Sequence, residues 1–152
     1  MRRIDTFCEI RLTEVLLEKL ASKGDTNNNE SKFDLLGKKI LDVDKAILSL
    51  TINDDRGEVI GKAFSKEYAS KYQDAAKDLR ARAGLFSALI FGIASEPEKV
   101  FGETKAIVRI YSDVKLILIP FSNRKHMATL LTKNLTDTDQ LIKDVGPLLQ
   151  VP

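Results

Sequence analysis

The chain has 152 residues, 43% of them hydrophobic and 30% charged, with a formal net charge of +2 and a single cysteine. That length suits one domain with one core, and the dispersed, nearly balanced charge lacks the basic stripe that binding a phosphate backbone demands, so no nucleic-acid partner is expected. Cys8 alone excludes an internal disulfide and a cysteine-based zinc site, which makes a reducing, cytoplasmic compartment the default.

Met1-Arg2-Arg3 is a basic start, but Asp5, Glu9, Arg11 and Glu14 break the run that a signal peptide would keep apolar. Residues 4–22 instead read as an amphipathic accessory helix, with Ile4, Phe7, Cys8, Leu12, Val15, Leu16 and Leu20 at three- and four-residue spacing. Cys8 lies on that apolar side and reads as core filler. The polar tract KGDTNNNES, residues 23–31, reads as a linker, and residues 32–152 as the main domain. A second helix is expected from Lys32 to Val43. Two β-prone runs then flank Asn53-Asp54-Asp55-Arg56-Gly57, a hairpin whose glycine suits a left-handed turn position.

From Gln73 to Ile93 the pattern is helical again, charged through Asp74, Lys77, Asp78, Arg80 and Arg82 and then apolar on every side in AGLFSALIFGIA. The longest uncharged run, Ala83 to Ser95, is well short of the ~20 residues that span a bilayer, so no membrane insertion is expected. Pro97 and Gly102 mark a loop. Strands follow at Lys105–Tyr111, Lys115–Phe121 and about His126–Thr132, then a helix at Asp137–Val145 with Thr136 as cap and Gly146-Pro147 as stop.

Hairpin-linked strands make an antiparallel sheet, and the order of elements makes the class α+β. Leu116 to Ile119 is apolar at every position, so it is expected between helices on both faces, whereas Lys105 to Tyr111 alternates, holds Arg109 in mid-run and reads as an edge.

Three segments carry a family resemblance: KKILDVDKAILSLTINDDRGEVIGKAF, RAGLFSALIFGIA and DVKLILIPFSNRKHMATLLTKNLTDTDQLIKDV. From about Lys32 to Gln150 the chain resembles the roadblock/dynein light-chain family of profilin-like, longin-like sandwiches, and within it small archaeal single-domain members of unassigned function. The resemblance implies a five-stranded antiparallel sheet with helices on both faces, to which the N-terminal helix is an addition. It also implies a non-enzymatic, cofactor-free interaction module: a homodimer or a pair with a paralogous roadblock-like chain, serving as a scaffold or as a regulator of a small Ras-like GTPase. Such domains pair through the long middle helix and the edge strand after it. Here those parts hold Arg82, Leu85, Ala88, Leu89 and Gly92 on the helix, and Lys105, Ile107, Arg109 and Tyr111 on the strand. A PAS-like small-molecule sensor is the alternative, and it requires an internal pocket with convergent polar groups.

Other constellations carry less. Gly84, Ala88 and Gly92 form a small-residue ladder that fits either a dimer contact or close packing on the chain's own sheet. Arg80, Arg82 and Arg109 fit a basic site or, more simply, a solvated helix end and an edge-strand gatekeeper. His126, the single histidine, cannot form a metal pair or a triad and reads as a surface residue. Asp54, Asp55 and Glu58 cluster at a hairpin tip, where turn chemistry accounts for them. Neither GxxxxGKS/T, GxGxxG nor GxSxG occurs. The N-terminal helix is left with two options, folding back onto the exposed sheet face or reaching across to another subunit or partner.

Overall fold

The computed structural model describes residues 31–72, 74, 77–94 and 96–150, and side chains in the long helix from Gly84 onward. The helix expected at residues 4–22, and all but the last residue of the linker expected at 23–31, lie outside the described residues.

The first helix, α1, spans Lys32–Leu41. Ser31, expected in the linker, is its N-cap: the Ser31 hydroxyl accepts the Asp34 N–H and the Asp34 carboxylate accepts the Ser31 N–H, a reciprocal capping box. Strands β1 (Ile47–Asp54) and β2 (Val59–Phe64) form the expected hairpin, with Gly57 at φ 83° in its turn. The Asp54 carboxylate accepts the N–H groups of Arg56 and Glu58, which confirms turn chemistry as the role of that acidic tip. Burial alone would raise the Asp54 carboxyl, but these bonds and the Arg56 guanidinium hold it below its usual value.

The middle of the chain departs from expectation. The helix expected from Gln73 to Ile93 is the long α3 (Lys77–Ala94), and a short α2 (Lys66–Tyr72), not expected, precedes it. Ser65 starts α2, its hydroxyl accepting the Tyr68 N–H at 3.0 Å, and Tyr68 is buried against Phe64 with ring centroids 5.2 Å apart. The expected loop after α3 holds a single helical turn, α4 (Glu98–Phe101). Then come β3 (Ile107–Ile110), β4 (Val114–Pro120), β5 (His126–Lys133) and α5 (Thr138–Val145), which runs into a 3-10 turn at Gly146–Leu149. Asp137, not Thr136, caps α5. Its carboxylate accepts the Gln140 N–H at 3.1 Å, while the Thr136 hydroxyl turns back to donate to Lys133 O.

The five strands form one antiparallel sheet in the order β2-β1-β5-β4-β3, as expected for the class. Alternation along each strand divides it into two faces. One carries Leu50, Leu130 and Ile117 in register, with Ile52, Ala128 and Ile119 beside them. α1 and α5 cover this face with Ile40, Leu141 and Val145, closing the main core. The other carries Ser49, Thr51, Asn53 and Thr129, all buried, beside Leu118 and Met127. Helix α3 lies over it: Ser87 and Thr129 share a hydrogen bond at 3.3 Å. Ile117, Leu118 and Ile119 of β4 are thus buried on both sides, and β3 beside them is an edge, as the pattern of the two runs indicates.

Glycine sets how closely α3 approaches. A Cβ added at Gly84 would lie 2.1 Å from Gly57 O and 2.4 Å from Asn53 Nδ2, so this rung of the small-residue ladder packs on its own hairpin. A Cβ at Gly92 would meet nothing within 4 Å. A backbone carbonyl cannot yield as a flexible side chain does. Gly84→Ala is therefore expected to destabilise the fold by about 2 kcal/mol in denaturant unfolding, despite alanine's better helix propensity, whereas Gly92→Ala is not.

Candidate functional site

Helix α3 is inverted relative to an ordinary amphipathic helix. Its inner side presents Gly84 and Ser87, both buried, and half-buried Phe91. Its outer side presents Leu85, Phe86, Leu89 and Ile93, which are 54%, 52%, 60% and 68% exposed. These four recur at spacings of one, three and four, so they form a single stripe along the helix. Soluble monomers rarely leave contiguous apolar patches larger than a few hundred Å², and a larger one marks an interaction surface. Val100 and Phe101 of α4 extend the exposed apolar surface beyond the helix, Phe101 at 85% exposure.

Edge strand β3 joins the stripe through Arg109. The register puts Ile107 opposite Leu118 and Arg109 opposite Leu116, on the face that α3 covers. The Arg109 guanidinium lies 5.4 Å from the Phe86 ring centroid and 5.6 Å from that of Tyr111. One cation thus bridges helix and strand, an arrangement worth about 0.5–1 kcal/mol per ring at an exposed site.

Of the residues expected at a pairing surface, Leu85, Leu89, Gly92, Arg109 and Tyr111 are exposed, and Ala88 and Ile107 are half-buried. Lys105 precedes β3 and pairs with Glu103 at 3.0 Å. Arg82 lies on α3, outside the described side chains, as does Arg80. Phe86, Ile93 and Phe101 were missed, although the three- and four-residue spacing of the large apolar residues carried the signal for the two on α3. Of the two uses open to the small-residue ladder, Gly84 takes the packing on its own hairpin.

The sheet's two edges differ. On β2 the Ser31 hydroxyl donates to Ile60 O at 3.3 Å and the Lys62 N–H donates to Asp34 Oδ1 at 2.9 Å, so the start of α1 occupies that edge. The outer edge of β3 pairs with no strand among the described residues. Strand addition therefore has one open side.

The connection from α3 to β3 is clasped from across the molecule. Arg124 sits in a left-handed turn at φ 58°, a conformation that costs a non-glycine residue on the order of 1 kcal/mol. Its guanidinium binds the Glu98 carboxylate and Thr104 O and lies 4.9 Å from the Phe91 ring centroid. The same Glu98 oxygen accepts the Thr104 N–H at 2.9 Å. His126 is half-buried between Phe33 and Phe121, centroids at 5.2 and 5.6 Å, and so belongs to the packing rather than to the free surface expected for it.

Among the described residues no group of three or more His, Cys, Asp or Glu is gathered where a metal ion could sit, and no helix is long and apolar enough to cross a membrane. A cleft of about 470 Å³, lined by Lys105, Ile119, Phe121, Arg124, Lys143 and Leu149 among others, opens at the rim of the sheet. It is not the internal pocket that the sensor alternative requires. Of the strand interiors expected to be packed, Ala46–Ile52 and Leu116–Ile119, all are buried but Ala46 and Leu116, which are half-buried.

Neither a protein-family model nor a curated protein matches the sequence. Solved structures do match its fold. A roadblock/LC7 domain from Streptomyces avermitilis superposes with a TM-score of 0.61 at 12% identity, over 78% of this chain and 92% of that one. Myxococcus xanthus MglB gives 0.58 at 13% identity, over 80% and 92%. MglB in a tetrameric arrangement gives 0.63 at 11% identity, over 82% and 88%. The architecture is an α+β sandwich with helices on both faces of a five-stranded antiparallel sheet. It is the roadblock/LC7 fold.

The clasp generates a pH dependence. The Arg124 hydrogen bond, then the Thr104 N–H, lower the Glu98 pKa from 4.5 to about 2. A depressed carboxyl contributes stability that is fully present above its unfolded value and is lost as pH falls through its folded value. Stability measured by urea unfolding is therefore expected to fall between pH 4.5 and about 2. Glu98→Gln should be less stable at neutral pH and lose less across that window.

Proposed function

We propose that this protein is a non-enzymatic interaction module that works as a pair, either a homodimer or a pair with a paralogous roadblock-like chain, and that the pair is a scaffold or a regulator of a small Ras-like GTPase. The observation that carries the reading is the continuity of one adhesive surface. Leu85, Phe86, Leu89 and Ile93 stand exposed on α3, and Arg109 ties that helix to the open edge of β3. A twofold pairing buries the same stripe on both copies, and the small side chains of Ala88 and Gly92 let two helices approach closely. Antiparallel pairing of two β3 edges would extend the sheet across the dimer. Arg82, Lys105, Ile107 and Tyr111 then rim the contact. MglB, of the same fold, in a tetrameric arrangement supports self-association as a use of this architecture. The GTPase part of the reading rests on the resemblance to the roadblock family.

Leu89 tests the pairing because its side chain already faces solvent, so a charge there leaves the monomer's packing intact. Wild-type protein is expected to be dimeric by light scattering at micromolar concentration. Leu89→Glu should weaken the dimer by about thirtyfold or more, the effect of an interface hot spot of about 2 kcal/mol, with the far-UV circular dichroism of a folded protein retained. A monomeric wild type, or an undisturbed Leu89→Glu dimer, would overturn the reading. For the GTPase arm, GTP hydrolysis and nucleotide exchange by small Ras-like GTPases of the same cell should change in the presence of the wild-type protein. Unchanged rates and no binding across that set would leave a scaffold only.

A further inference from the structure

The N-terminal segment has a place to go. The described chain begins at Ser31, pinned to Ile60 O beside the first residues of β2. Three residues back along that strand and turn is Gly57, whose backbone packs against Gly84 and Leu85 at the start of the stripe. Residues 23–30 form an eight-residue polar connector between this anchor and the amphipathic segment. At full extension a chain of that length reaches roughly 26 Å, while three residues of strand cover about 10 Å. The segment is therefore tethered within reach of α3.

Its chemistry matches what it would meet. Cys8, Leu12 and Leu16 recur every four residues, with Ile4, Val15 and Leu20 alongside, the spacing that Leu85, Leu89 and Ile93 also follow. From Leu85 to Ile93 the stripe runs about 12 Å, well within the about 24 Å that Ile4 to Leu20 would cover as a helix.

We infer that residues 4–22 fold back over the Leu85–Ile93 stripe of their own chain and compete there with the second copy, so that self-association is set by release of this cover. The inference rests on the dimer reading and adds its regulation. A short tether gives an effective concentration in the millimolar range. The cover therefore holds against loose encounters and gives way to a partner that binds more tightly or at a wider surface, such as one that also engages the β3 edge.

Cys8 supplies the test, being the chain's single cysteine. In the 152-residue Leu89→Cys protein, mild oxidation at low concentration is expected to join Cys8 to the introduced thiol within one chain: both thiols lost, mobility shifted, mass unchanged from the monomer. Chiefly interchain products, or a free Cys8 thiol, would overturn the cover. Independently, the double variant Leu12→Glu/Leu16→Glu of the same whole chain should tighten the dimer about tenfold or more. An unchanged or weakened dimer would overturn the competition. The two readings fail separately. If the wild type is monomeric at micromolar concentration, the dimer reading falls and the competition with it. If Leu89→Glu abolishes a dimer while no intrachain disulfide forms, only the cover falls.

Discussion

The contact between α3 and the hairpin tip is the constraint on which the rest depends. Gly84 meets the Gly57 carbonyl with no room for a methyl group, and Ser87 meets Thr129 through hydroxyls. A helix held this closely and by such small groups has no room on its inner side for a large side chain at positions 84 and 87, while Phe91, near its end, turns partly inward. Its large apolar residues are thus driven to the outside. The sheet agrees with the helix, since Ser49, Thr51, Asn53 and Thr129 line the covered face. Among the described residues Asn53 Nδ2 finds no hydrogen-bond partner, and it lies where a Cβ of residue 84 would be. An unpaired buried amide is a penalty of about 1–3 kcal/mol. Stability therefore comes from the opposite face, where α1 and α5 close an apolar core, and the outer side of α3 is left exposed.

The sheet's edges repeat that division. The capping box at the start of α1 satisfies the first turn of the helix and, through the same two side chains, occupies the free edge of β2. Burial alone would raise the Asp34 carboxyl, but the N–H groups of Lys62 and Ser31 hold it below its usual value, so it remains a charged acceptor at that edge. Among the described residues β3 has no such cover; it carries Arg109 in its middle and lies beside the exposed stripe. One edge is closed and the other is open, and the open edge and the exposed helix are continuous through a single guanidinium. A surface of this kind has a direction: a second molecule has one side to join.

Arg124 extends the logic to the connector. A residue in a strained turn of the β4–β5 hairpin reaches across to Glu98, Thr104 and Phe91 and so fixes where α3 ends and β3 begins. The relative position of helix and edge strand is therefore set by charge and cation–π contacts on the rim.

Composition and period by themselves determined the class, the five strands, the edge position of Lys105–Tyr111 and the interior position of Leu116–Ile119, because side-chain alternation and its absence report directly how many faces of a strand are buried. The same pattern determined that the middle helix carries apolar residues on every side. Which side faces inward was not legible, because Gly84, Ala88 and Gly92 look alike in one dimension. Only the approach of Gly57, some 27 residues away in sequence, made Gly84 an inner residue and left Gly92 outside. The cap at Asp137, the short helix at Lys66–Tyr72 and the Glu98–Arg124 clasp likewise depended on hydrogen bonds that several residue types can make locally. Tertiary structure chose among them, because a long-range contact selects one member of a set that local propensity leaves nearly equal in energy.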